Sequence, residues 1–91
     1  MPTVHVLIKG RVQGVYFRAS AKDVADEVGV TGWVKNTEEG DVEIMATGTS
    51  EQIKKLVDWC KIGPRRAAVT DVSVTEKEET FFKNFDVIRR Y

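Results

Sequence analysis

The sequence predicts an α+β domain of two layers, with two helices on one face of an antiparallel sheet. Three observations carry this. Apolar residues alternate at Val4, Val6 and Ile8, as in a half-buried strand. They recur at helical spacing at Ala21, Val24, Ala25 and Val28. Both patterns then return further along the chain. The 91 residues are one domain's worth, spanning 1–91, with 42% hydrophobic and 31% charged residues. A domain of this size buries roughly 60–65% of its unfolded surface, enough for one core without disulfides.

The first strand leads from Val4 into GRVQGVYFR, residues 10–18. A helix follows, and Gly29 supplies its C-terminal stop. TGWVKN, from Thr31 to Asn36, reads as a second strand. Residues 36–40 form a polar turn containing glycine, and Val42, Ile44 and Ala46 alternate as a third strand, so strands two and three make a hairpin. Thr49 and Gln52 fit a capping box, with Ser50 competing for the N-cap. Ile53, Leu56, Val57 and Cys60 make the apolar stripe of a second helix, which Gly63-Pro64 ends. Val72 and Val74 continue as a strand, and FFKNFDVIRRY supplies a last one.

The order is βαββαβ with an additional C-terminal strand, the layout of a ferredoxin-like two-layer sandwich. Each strand-helix-strand unit crosses over right-handedly, with its two strands parallel and one other strand between them. The ends of strands one and two therefore lie on the same edge of the sheet. Two strand spacings, about 10 Å, separate them. A phosphate and a water fit that gap.

Charge and composition narrow the function. Fourteen basic and fourteen acidic residues give a net charge of +0, against the basic field of a sequence-independent nucleic-acid binder. The single cysteine, Cys60, excludes a disulfide framework and a thiolate metal cluster. No apolar run approaches the roughly 20 residues of a membrane span, and MPTVHVLIK lacks a signal-peptide layout. Cytoplasm is the expected location, and the chain reads as a free-standing monomer rather than part of a larger carbamoyl-transferring protein.

The loop itself reads as an anion cradle. It runs straight into a helix N-terminus, where the first N–H groups lack intrahelical partners and the helix dipole adds about half a positive charge. Gly14 can adopt positive φ and admits close approach of a ligand. Successive N–H groups of Gln13, Gly14, Val15, Tyr16, Phe17 and Arg18 can converge on a phosphate as a nest. Arg18 adds a forked guanidinium. Standing alone, two loop glycines before a helix are turn punctuation more often than an anion site, and a lone arginine there is usually solvated. The spacing matches neither the Walker loop nor the dinucleotide fingerprint.

GRVQGVYFR resembles the first signature of the acylphosphatase family, G-x-V-Q-G-V-x-F-R, at Gly10, Val12, Gln13, Gly14, Val15, Phe17 and Arg18. GWVKNTEEGDVEIMATG, residues 32–48, resembles the second, G-[FYW]-V-x-N-x-x-x-G-x-V followed by a glycine, at Gly32, Trp33, Val34, Asn36, Gly40, Val42 and Gly48. Tyr16 falls on a variable position. The resemblance covers essentially the whole chain. It implies a hydrolase without metal or cofactor that cleaves small-molecule acyl phosphates to a carboxylate and inorganic phosphate. Within it, Arg18 matches the phosphate-binding arginine and Asn36 the asparagine that orients the attacking water.

Such chemistry needs little else. A carboxylate is a weak base and leaves without a general acid, and the loose phosphoryl transition state asks mainly for positioning and charge stabilisation. No His, Cys, Asp or Glu lies between residues 10 and 18, which makes the substrate's own phosphate oxygen the expected proton acceptor.

Other conspicuous residues read as structural. His5 is mid-strand, Cys60 lies on a core stripe, and Trp33 and Trp59 are packing residues. Residues 76–79 and the pairs Arg65-Arg66 and Arg89-Arg90 read as solvated surface. Two rival functions share the layout. An RNA-recognition domain would carry stacking aromatics on strand three, but DVEIMATG has none. A sensor of phosphorylated metabolites would keep the cradle without needing Asn36.

Overall fold

The computed structural model describes residues 1–89. In chain order the elements are β1 (Thr3–Arg11), α1 (Phe17–Val28), β2 (Thr31–Asn36), β3 (Val42–Thr47), α2 (Ser50–Cys60), β4 (Ala68–Lys77) and β5 (Phe85–Ile88). The five strands form one sheet in the order β4-β1-β3-β2-β5. The ferredoxin-like sandwich is therefore present, with β3 between β1 and β2 and β1 between β3 and β4.

One feature departs from expectation. The sheet is mixed rather than wholly antiparallel, because β5 pairs parallel to β2, from Gly32 opposite Phe85 to Lys35 opposite Ile88. Chain direction forces this. β4 runs antiparallel to β1, so it ends at the edge where β1 and β2 begin. Residues 78–84 cross that edge, and β5 can then only ascend alongside β2. Arg90 and Tyr91, part of the expected last strand, lie outside the described residues.

Period-two alternation sends Val4, Val6 and Ile8 of β1, Val34 of β2, and Val42, Ile44 and Ala46 of β3 to the covered face, where all are buried. Helix α1 meets them with Phe17, Ala21 and Ala25, whose two alanines allow close approach, and α2 with Ile53, Leu56, Val57 and Cys60. Full burial of each large aliphatic side chain stabilises the fold by about 1.5–3 kcal/mol. Burial also pushes the Cys60 thiol up to about 12, so it is an inert core residue as expected.

The helix ends follow the sequence signals. Thr49 caps α2: its side chain accepts from the Gln52 N–H at 3.1 Å, and the Gln52 carboxamide accepts from the Thr49 N–H at 2.9 Å. Gly29 closes α1 in the left-handed region, with its N–H bonded to the Ala25 carbonyl at 2.9 Å. α2 ends at Cys60, and Gly63 donates back to the Trp59 carbonyl at 2.8 Å. Trp59 packs on Phe17, ring centroids 5.1 Å apart, behind the loop that enters α1.

Candidate active site

The loop between β1 and α1 is shaped by alternating handedness. Gly14 has φ 73° and Tyr16 φ 64°, while Val15 between them is not in the positive-φ region. That alternation turns successive N–H groups toward a common point, the geometry of an anion nest. Gly14 occupies open space and contributes conformational freedom rather than fit. Tyr16 is a non-glycine residue in the left-handed region, a conformation costing on the order of 1 kcal/mol. Two anchors impose it: buried Val15 on one side and buried Phe17 on the other.

The cradle donors are free. The first turn of α1 begins with the Ser20 N–H bonded to the Tyr16 carbonyl at 3.1 Å. Among the described residues, none accepts a hydrogen bond from the main-chain N–H groups of residues 14–19. The loop and the positive end of a twelve-residue helix thus border a cavity of about 350 Å³, with Gly14, Tyr16, Phe17, Arg18 and Ala19 in its wall.

That cavity is lined by Val12, Gly14, Tyr16, Phe17, Arg18 and Ala19 from the loop and helix, with Asn36 and Arg89 opposite. Arg18 is half-buried, and its Nη1 donates to the Ile88 carbonyl at 3.2 Å. One arm of the guanidinium is held by β5, leaving the rest of the fork for a ligand. Asn36 ends β2 and has the same parity as buried Val34, so it sits on the helix-covered face of the sheet beside the cradle. The topology therefore brings together the two side chains that the sequence singles out.

Gln13 contributes differently from the other loop residues. Its Nε2 donates to the Thr37 and Asp41 carbonyls, both at 2.8 Å. The side chain clamps the cradle loop to the β2–β3 turn, one residue beyond Asn36. Neither Gln13 nor Val15 lines the cavity; each supports the wall from behind.

A larger hollow of about 680 Å³ lies on the uncovered face of the sheet and meets the cradle cavity at Asn36. His5, Leu7, Lys9, Lys35, Asp41 and Glu43 are among its walls. Its basic side chains are already paired: Lys9 with Asp41 at 3.0 Å, His5 with Glu43 at 2.8 Å, and Lys35 with Glu43 at 3.3 Å, while exposed Glu38 and Glu39 add negative charge at its rim. Burial raises the Glu43 pKa, but hydrogen bonds from His5 and Lys35 outweigh it and leave the carboxyl below its ordinary value of 4.5. Lys35 also lies over the Trp33 ring, 5.4 Å from its centroid, so both His5 and Trp33 keep structural roles. Among the described residues there is no group of three or more His, Cys, Asp or Glu side chains placed to hold a metal ion. No described helix is long and apolar enough to cross a membrane.

Comparison with known proteins agrees with this geometry. The family profile for acylphosphatase matches residues 4–87. An acylphosphatase of Methylococcus capsulatus is 49% identical over 90 residues, covering 98% of both chains. The crystal structure of acylphosphatase from Bacillus subtilis superposes with a TM-score of 0.93 at 37% identity, over 97% of this chain and 99% of that one. The structure of an acylphosphatase from Coxiella burnetii gives 0.92 at 41% identity, over 96% and 92%. With a family profile spanning nearly its whole length and a relative at half identity end to end, this chain belongs to the acylphosphatase family of hydrolases.

Proposed function

We propose that this acylphosphatase hydrolyses small-molecule acyl phosphates with its phosphoryl group in the 14–19 cradle, Arg18 on the phosphoryl oxygens, and Asn36 aiming the water. The observation that supports this best is the run of main-chain N–H groups without described partners, residues 14–19, in the loop that borders the cavity beside a half-free guanidinium. A phosphoryl dianion offers terminal oxygens that such donors saturate, and fixed dipoles stabilise charge without reorganising.

Water attacks phosphorus from the Asn36 side, and the phosphorus–oxygen bond to the acyl group breaks in line with it. The electron pair leaves with the carboxylate. One water proton stays on the incoming oxygen and the other passes to a phosphoryl oxygen, giving a carboxylate and dihydrogen phosphate. Among the described residues no carboxylate or imidazole lines the cavity, and the chemistry needs none, because the leaving group is a weak base. A monomeric enzyme is the proposed form, and the cytoplasm its proposed location.

Acetyl phosphate incubated with the purified protein and a chelator tests the reading. The expected result is stoichiometric release of acetate and inorganic phosphate, unaffected by the chelator. Phosphate binding without turnover would make the protein a sensor and remove the role assigned to Asn36.

A further inference from the structure

Arg89 stands at the end of β5, where the parallel register sets Lys35 opposite Ile88 and therefore carries Arg89 level with Asn36. Strand parity agrees: Phe85 is buried on the covered face, Ile88 is on the other, and Arg89 returns to the side of α1. The residue lines the cradle cavity with Gly14, Arg18 and Asn36, and no Asp or Glu lines it. No described carboxylate forms an ion pair with Arg89. The cavity is thus lined by two guanidiniums, Arg18 from α1 and Arg89 from β5, in a chain whose charges sum to zero overall.

From this we propose that Arg89 is a second substrate-binding residue, which contacts the phosphoryl oxygens from the β5 side while Arg18 contacts them from α1. The proposal rests on the acyl-phosphate reading of the cavity. Arg18 has one arm engaged by the Ile88 carbonyl, so a second guanidinium adds full positive charge to a site otherwise built from main-chain dipoles and part of one fork. In-line displacement then fixes which part of the substrate Arg89 meets. Water enters beside Asn36, and the acyl group leaves on the opposite side of phosphorus. Arg89 neighbours Asn36, so it faces the phosphoryl group and not the acyl group. Its contribution is common to all acyl phosphates and to inorganic phosphate. Two like charges lining one cavity also repel, so the residue favours anion binding rather than the stability of the fold.

Kinetics on wild type, R89A, R89K and R66A, an exposed arginine outside the cavity lining, decide the matter, with acetyl phosphate and benzoyl phosphate as substrates. Inorganic phosphate binding is followed by calorimetry and by the rise in melting temperature it produces. R89A should raise KM for both substrates and Kd for phosphate by about fivefold to tenfold, the scale of one partly screened charge near a dianion. Any change in kcat should be smaller, and the difference should shrink in high salt. R89K should fall between, R66A should match wild type, and R89A should melt no lower than wild type without phosphate. Unchanged KM and Kd in R89A would overturn the proposal. So would a loss confined to one substrate, or a fall in kcat with phosphate affinity intact. If wild type hydrolyses neither anhydride, the acyl-phosphate reading fails, while the phosphate titration still decides whether Arg89 binds the anion.

Discussion

Two hollows meet at Asn36, and they use charge in opposite ways. On the uncovered face, Lys9, Lys35 and His5 each have a carboxylate at 2.8–3.3 Å, and Glu38 and Glu39 add further negative charge, so the larger hollow keeps its basic groups engaged. In the cradle, N–H groups without described partners, most of Arg18 and Arg89 border a cavity that no described carboxylate lines. Size does not separate them in the expected direction, since the self-paired hollow is about 680 Å³ and the cradle about 350 Å³. What separates them is whether donors already have partners. A surface that has satisfied its own charges offers an anion little, and one whose donors converge without partners is prepared for it.

The sharpest way to break this comparison is Arg18→Ala. Its loss should cost about 3–4 kcal/mol of transition-state stabilisation, more than a hundredfold in kcat/KM, by analogy with removal of an oxyanion donor. Near-normal acetyl phosphate turnover would place the chemistry elsewhere. Asn36→Ala comes next, with kcat about tenfold to a hundredfold lower and the calorimetric Kd for phosphate within about twofold, because it misplaces only the water. Weakened phosphate binding with kcat preserved would exchange the roles of the two residues.

Gln13→Leu tests the clamp. It removes two 2.8 Å hydrogen bonds between loop and turn and should lower stability by about 1–2 kcal/mol in urea denaturation. Because the clamp sits beside Asn36, kcat should fall more than phosphate affinity. Glu43→Gln, on the self-paired side, should leave kcat and KM unchanged and cost about 0.5–1 kcal/mol at neutral pH. The sign follows from its lowered pKa. The native state favours the ionised carboxyl, so the stabilisation is present above the ordinary value of 4.5 and lost as pH falls through the lower folded value. The gap between wild type and variant should therefore close in acid.

Much of this was legible in the sequence because it was local. The capping box at Thr49, the stop at Gly29 and the strand alternation all depend on neighbours within a few residues. Element order placed the ends of β1 and β2 on one edge, since the crossover is right-handed. The roles of the cradle and of Asn36 came from their resemblance to the two family signatures. What escaped depends on long-range pairing. The parallel β5 is set by where β4 ends, and only that pairing brings the Ile88 carbonyl to Arg18, 70 residues away in sequence, and Arg89 to the cavity. Arg89-Arg90 read as solvated surface; Arg89 is exposed, yet it lines the site. Gln13 could be placed in the loop, but not its side chain's turn toward Thr37 and Asp41 rather than the ligand. The positive φ of Tyr16 left no compositional trace, because a tyrosine there announces nothing that glycine would.

The most direct measurement is an amide NMR titration of the wild-type protein with inorganic phosphate. Saturable shifts should centre on the backbone N–H signals of residues 14–19, with the side chains of Lys9, Lys35 and His5 unmoved. Shifts centred on those three side chains, or no saturable change at 14–19, would show that the free main-chain donors do not hold the phosphoryl group.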